Sequence, residues 1–327
     1  MKILIACDER SSADKIYYDL KRAGLPELVQ ACIFSVADVF VLPGYKPVKS
    51  KRPSDKKSFK HIDEEIKKAQ VIADHMRKKL KLKFPKWSFH AESCGGSPAW
   101  KILEKAKDWK ADLIVIGAHG RMGLGGYFFG SVALRVMSEA TCSVRIVRPH
   151  TQETNSPSRI VIGVDGSRES DAAINILRER RWMKGSSAHL VTAVGTMVYS
   201  TSISDMYPDV YIVNLPDESS IKKKWQINDN KNPRAWITKM HDEYKSTLEK
   251  SGLVVSSFIE DGDTKVILLQ ETERYGADSI FVGATGHGMI NRYLIGSVSS
   301  AIAGRAHCSV EIIRTKPKNV RPRRRSR

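Results

Sequence analysis

Short apolar runs alternate with amphipathic stretches along this chain, and the series occurs twice. Residues 2–8 hold Ile3, Leu4, Ile5, Ala6 and Cys7 in succession and close on Asp8. An unbroken apolar run of this kind predicts a strand buried on both faces. Residues 11–24 predict a helix, with Ser11 or Ser12 as cap and Gly24 as stop. A second strand is predicted over 28–36 and a basic loop over 43–60. Ile62, Ile66, Ala69, Ala73, Met76 and Leu80 then recur with helical spacing, lysines filling the other face, and predict a helix over 61–82. Residues 87–92 predict the third strand. Gly95-Gly96-Ser97-Pro98 opens a helix that runs to 109, with Ser97 as N-cap and Pro98 in the first turn. A fourth strand over 112–117, a helix over 131–140 and a closing strand over 143–147 complete the series.

The same order then returns. Strands are predicted over 159–165, 188–194, 254–259, 279–282 and 309–313, with helices over 170–180, 236–250 and 263–275 between them. A stretch over 196–234, rich in Ser, Asp, Asn and Pro, reads as an irregular insertion. Residues 111–148 align without a gap on 277–314, at an offset of 166 residues, with 16 identities in 38 positions. Strands alternating with helices imply βαβ crossovers and a parallel sheet. The expected architecture is two doubly wound α/β domains, over 1–149 and 159–315. A linker over 150–158 joins them, and a basic disordered tail over 316–327 follows.

A length of 327 residues suits two such domains of about 150 residues each. No apolar run approaches the roughly 18 residues of a membrane span. The start is too short and too soon charged for a signal peptide, so the expected compartment is the cytoplasm. Cys7, Cys32, Cys94, Cys142 and Cys308 are odd in number and lack CxxC spacing, which argues against a disulfide framework or a metal site. Cys142 and Cys308 are repeat equivalents and read as small buried hydrophobes. The net charge of +18 is concentrated: residues 316–327 carry seven of the basic side chains and no acid. Residues 46–60 add Lys46, Lys49, Lys51, Arg52, Lys56, Lys57 and Lys60 against Asp55. Such clusters attract polyanions, although neither carries a nucleic-acid-binding module.

The chemistry points to the loop after each fourth strand. Gly117 and Gly120 precede nine residues and then Gly130-Ser131-Val132; Gly283 and Gly286 precede nine residues and then Gly296-Ser297-Val298. Ligands of open α/β sheets bind at the carboxyl ends of strands. Gly117 and Gly283 leave the backbone open to a ligand, and Gly120 and Gly286 allow a tight turn. Gly130-Ser131 and Gly296-Ser297 start the next helix, where free N–H groups, the helix dipole and a hydroxyl favour an anion. Together these features make a polyphosphate cradle.

The pattern G-x2-G-x9-G-[S/T] after an apolar strand resembles the nucleotide-binding signature of universal stress proteins. Asp8, Val164-Asp165-Gly166-Ser167, Gly96-Ser97-Pro98-Ala99, Gly262-Asp263-Thr264 and the closing Cys-Ser-Val-x-Ile-x-Arg strands fit the same resemblance. It covers residues 1–148 and 159–315 and is similar to the tandem class, which carries two such domains. It implies Rossmann-like five-stranded sheets of order 3-2-1-4-5, packed as an intramolecular pseudo-dimer through the closing strands. A homodimer is compatible with this arrangement. It also implies a stress-response role and a bound ATP, or the related ADP or AMP, with or without Mg²⁺. By that resemblance Asp8 and Asp165 accept hydrogen bonds near base and ribose, and Val36 and Val194 pack against adenine. Gly117, Gly120, Gly130, Ser131 and Val132 hold phosphates, as do Gly283, Gly286, Gly296, Ser297 and Val298. The first copy departs from the pattern, with Asp8-Glu9-Arg10-Ser11 in place of Asp-Gly-Ser, so the second copy is expected to be the better site. Arg121 and Arg292 lie within the loops, either as further phosphate contacts or as ordinary exposed arginines.

No catalytic residue is expected. The loop supplies a cradle, the P-loop pattern is absent, and His119 and His287 are not repeat equivalents. A nucleotide-binding regulatory protein is the leading reading. A slow ATPase or adenylyl-transferring enzyme is the second. A polyanion-binding stress factor acting through the basic tail is the third.

Overall fold

A computed structural model describes residues 1–8, 12–40, 53–118, 130–148, 156–194, 234–285 and 295–315. The first half runs β1 (Lys2–Ala6), α1 (Ser12–Arg22), β2 (Gln30–Ala37), α2 (Pro53–Lys83), β3 (Ser88–Gly95), α3 (Pro98–Trp109), β4 (Leu113–Gly117), α4 (Ser131–Glu139) and β5 (Ser143–Val147). The second runs β6 (Arg159–Gly163), α5 (Arg168–Arg178), β7 (Ser187–Val194), α6 (Ala235–Glu249), β8 (Val254–Asp261), α7 (Thr264–Arg274), β9 (Ser279–Gly283), α8 (Ser297–Arg305) and β10 (Ser309–Ile313).

All ten strands join one sheet, in the order β3-β2-β1-β4-β5-β10-β9-β6-β7-β8. Each half is parallel throughout with order 3-2-1-4-5, and the halves meet where β10 lies antiparallel to β5. Strands covered on both faces must be apolar all along, which is why β1 and β6 read as continuous apolar runs. One face of the sheet carries a core shared by both halves. Ile114, Val144 and Ile146 pack there with Ile280, Val310 and Ile312, beneath α3, α4, α7 and α8. On the other face α1 and α2 cover Ile3, Ile5 and Ile33, while α5 and α6 cover Ile160, Ile162 and Leu190.

The boundaries depart from the sequence pattern in physically intelligible ways. Helix α2 starts at Pro53, within the stretch expected to be loop. Proline suits a first helical turn, and lysine is a good helix former even where no apolar stripe announces the helix. Strand β6 stops at Gly163, because Gly166 turns the chain with φ +80° and Ser167 caps α5. Strand β8 continues to Asp261, since β7 offers it partners as far as Val194. Ser97 stands at the N-cap position of α3, yet its side chain makes no cap hydrogen bond. Most of the basic loop, most of the insertion and the basic tail lie outside the described residues. The end of the linker is described: the Ser158 hydroxyl donates to the Arg22 carbonyl at 2.9 Å.

Candidate functional site

The order 3-2-1-4-5 changes direction between β1 and β4, and again between β6 and β9. A crevice opens at such a switch point, beyond the carboxyl ends of the two strands. Asp8 and Gly117 stand at the first, Asp165 and Gly283 at the second. The two loops after β4 and β9 are anchored alike. The Ala118 N–H donates to Val147 O at 3.0 Å and the Gly130 N–H to Ala118 O at 3.0 Å; in the second half, Ala284 bonds Ile313 O at 2.8 Å and Gly296 bonds Ala284 O at 2.7 Å. These bonds bring the far end of each loop back to its strand tip, so the start of α4 or α8 sits beside Gly117 or Gly283.

Gly130 and Gly296 are the N-cap residues of α4 and α8, and both adopt extended backbone. Neither can supply a capping side chain, so the first-turn N–H groups lack that acceptor. Two other helices of the second half are closed. The Ser167 hydroxyl accepts from the Ser170 N–H at the start of α5. The Asp263 carboxylate accepts from the N–H groups of Lys265 and Val266 at the start of α7, and the Val266 and Lys265 bonds lower its pKa. Helices α3 and α6 also start without a side-chain cap bond; what marks α4 and α8 as suited to an external anion is that their open ends lie beside the tips of β4 and β9. Ser131 and Ser297 are exposed there, and Val132 and Val298 are half-buried.

Asp165 is held in place by its own turn. One carboxylate oxygen accepts from the Ser167 N–H at 2.9 Å and the Ser170 hydroxyl at 2.7 Å. Gly166 makes this turn possible, because an L side chain is strained at its φ of +80°. Asp8 is half-buried at the equivalent position of the first half. Gly120, Gly286, His119, His287, Arg121 and Arg292 lie outside the described residues, as do Glu9, Arg10 and Ser11.

Some of the expected site residues have neighbours that the sequence does not announce. A Cβ added to Gly283 would fall 2.6 Å from Glu169 Cβ, so the missing side chain makes room for α5 rather than leaving that face of the backbone open. Val36 and Val194 are not equivalents. Ala6 pairs with Phe34 in the first half, and Gly163 pairs with Val191 in the second. Counting on, Val36 matches Ala193 and Val194 matches Ala37. Side chains alternate along a strand, so the one-residue slip puts the two valines on opposite faces. Val36 joins the core under α3 and α4, whereas Val194 packs with the core under α5 and α6.

Some polar contacts near the second crevice carry no sequence signal. Thr192 of β7 donates to Val164 O at 2.6 Å, next to Asp165, and its hydroxyl lies 2.7 Å from His241 Nε2. His241 Nδ1 lies 2.5 Å from the Ser257 hydroxyl. Burial pushes the His241 pKa down to about 4. In the first half Cys32, His90 and Glu92 place three ligand-type atoms within 4.8 Å of one another. Lys105 already holds Glu92, and burial, followed by the charge of Glu92, pushes the Cys32 thiol up to about 12.

Residues 1–148 and 157–314 each match the model of the Universal stress protein family. A universal stress protein of Mycobacterium bovis is 23% identical over 233 residues, which cover 70% of each chain. Another, of Methanocaldococcus jannaschii, is 42% identical over 78 residues, 23% of this chain and 46% of that one. The match thus spans about half the length of that relative. The crystal structure of a universal stress protein from Archaeoglobus fulgidus superposes with a TM-score of 0.59, at 18% identity over 96% of each chain. That likeness is one of fold.

Proposed function

The chain belongs to the universal stress protein family, with two such domains in tandem, and from that premise we propose that it binds an adenine nucleotide, ATP foremost, at the switch-point crevices. The observation that carries this reading is the pair of helices α4 and α8, opened at Gly130 and Gly296 without a capping side chain beside the tips of β4 and β9. Phosphate oxygens would accept from the first-turn N–H groups, with the Ser131 and Ser297 hydroxyls as further donors. Asp8 and Asp165 would accept from the sugar or base. Gly117, Gly120 and Gly286 would let the loop backbone approach the phosphates, and Gly283, closed toward Glu169, would do so only on its other face. Val36 and its register equivalent Ala193 would line the adenine side, in place of the pairing with Val194. Mg²⁺, if it accompanies the nucleotide, would be carried by the phosphates.

The second crevice is the better candidate. Glu9 stands where the second half has Gly166, so the first half lacks the residue that makes the Asp165 turn free of strain. N–H groups and hydroxyls bind and orient phosphate; they do not activate water. The function favoured is therefore a nucleotide-binding regulatory protein of the stress response rather than an ATP-consuming enzyme.

Substituting both N-cap glycines by aspartate separates ligand binding from folding. An aspartate caps a helix at least as well as glycine, so Gly130→Asp with Gly296→Asp should leave the thermal midpoint at or above that of the wild type. The new carboxylates would occupy the phosphate positions, and ATP binding measured by calorimetry should disappear. Undiminished binding by the folded variant would reject the site.

A further inference from the structure

The residue at the centre of the seam between the halves faces its own repeat equivalent. Arg145 of β5 stands opposite Glu311 of β10, with Ile146 opposite Val310 and Val144 opposite Ile312. The offset of 166 residues relates Arg145 to Glu311, Val144 to Val310 and Ile146 to Ile312. The apolar flanks are therefore alike from both sides. So are the outer fastenings: the Arg148 N–H donates to Ser309 Oγ at 3.0 Å, and the Arg314 N–H to Ser143 Oγ at 3.2 Å.

The centre differs in sign. Arg145 donates Nε and Nη2 to the two oxygens of Asp19, on α1, at 2.6 and 2.9 Å. Its Nη1 crosses the seam to Glu311 Oε2 at 3.0 Å. Glu311 also accepts from Arg180, just past α5, and Arg180 Nη1 returns across the seam to Ala23 O at 2.8 Å. None of these four side chains is more than 3% exposed. The Phe281 ring lies 5.0 Å from the Arg180 guanidinium carbon and 5.9 Å from that of Arg145. Each half thus holds one internal ion pair, and the seam joins the two into an alternating row.

We propose that the row Asp19–Arg145–Glu311–Arg180 is a pairing code, which admits the closing strand of a first half only beside the closing strand of a second half. On the same seam, two first halves would set Arg145 against Arg145, and two second halves would set Glu311 against Glu311. Either pairing loses the bond across the seam and buries like charges face to face. An apolar centre between such self-complementary flanks would accept all three pairings. Repulsion at the centre is therefore the element that rejects the wrong partner, and it favours closure within one chain over association through like halves.

The test reverses the sign of one half at a time in the full chain. Asp19→Arg with Arg145→Glu keeps the internal pair of the first half but sets like charges across the seam. Glu311→Arg with Arg180→Glu does the same for the second half. Like-charge juxtaposition costs several kcal/mol, so amide exchange in β5 and β10 should rise roughly a hundredfold in either double variant. All four substitutions together should recover the wild-type molecular mass and most of the loss in exchange protection and thermal midpoint, short of the Arg180–Ala23 bond that Arg180→Glu removes. Mixing the two double variants should give a complex of two chains by native mass spectrometry, because each half then finds its opposite in the other chain. Double variants indistinguishable from wild type would overturn the proposal. So would a fourfold variant no better than either double, or a mixture that forms no more complex than each chain alone.

Discussion

His241 shows how a single buried side chain ties stability to pH. Thr192 donates its proton to Val164 O, so its oxygen is left to accept from His241 Nε2–H. Nδ1 is then the acceptor of the Ser257 hydroxyl, a tautomer assigned from the bonding pattern. The ring is satisfied while neutral. Burial holds its pKa at about 4 in the folded chain, below the ordinary imidazole value of 6.5. Between those values the unfolded chain binds more protons, so stability is full above pH 6.5 and falls as the pH drops toward 4. The slope approaches about 1.4 kcal/mol per pH unit for one such group. Burial also lowers the pKa of His189, outweighing the nearby Glu271, and this acts with the same sign. Urea unfolding at pH 7 and pH 5 measures the effect. A His241→Gln variant, which keeps donor and acceptor but does not titrate, should lose less stability over that interval. An equal loss in both proteins would rule His241 out as the source.

At the scale of elements, helix starts divide into those closed by their own sequence and those left open. Ser167 closes α5, and its loss should be felt by the element it caps. Ser167→Ala should lower stability by about 1 kcal/mol, or roughly 1–2 °C in thermal midpoint for a chain that unfolds as one body. No change in midpoint would mean that the Asp165 turn alone fixes the start of α5. This division was partly legible in the sequence. Glycine-serine after a nine-residue loop announced the starts of α4 and α8, and Asp263 announced α7. Elements with a local signal, such as apolar runs ending in an acid or glycine, are legible nearly to their ends. The start of α2 was hidden because a lysine-rich helix turn and a basic loop have the same composition. Strand register was hidden too. Val36 and Val194 look interchangeable as letters, and the partners that separate them are set by β1 and β6, far along the chain. Glu169 filling the space at Gly283 was hidden for the same reason: a glycine required by a neighbour and one required by a ligand look alike until the neighbour is seen.

Across the whole molecule, the two halves are fastened by a device that the duplication explains. Arg148 and Arg314 are repeat equivalents, and each reaches into the opposite half. Arg148 donates to Ala303 O at 2.6 Å and Cys308 O at 3.3 Å, around the end of α8. Arg314 donates to Met137 O at 2.9 Å and Ser138 O at 3.2 Å, in the last turn of α4. The carbonyls at a helix end lack intrahelical partners and carry the negative end of its dipole, so a guanidinium suits both. Each arginine therefore links one half's closing strand to the other half's last helix. Truncating either to alanine removes charged hydrogen bonds worth about 1.5–3 kcal/mol each and leaves carbonyls buried. The two sites lie at opposite ends of a five-residue strand pair, about 15 Å apart by strand rise. Separation of that order makes their effects independent if the chain unfolds as one body. Arg148→Ala and Arg314→Ala should each lower the denaturant midpoint, and the double variant should lose nearly the sum with a single transition. Two separate transitions in the double variant would mean instead that the halves come apart before either unfolds, and that the seam is weaker than the domains it joins.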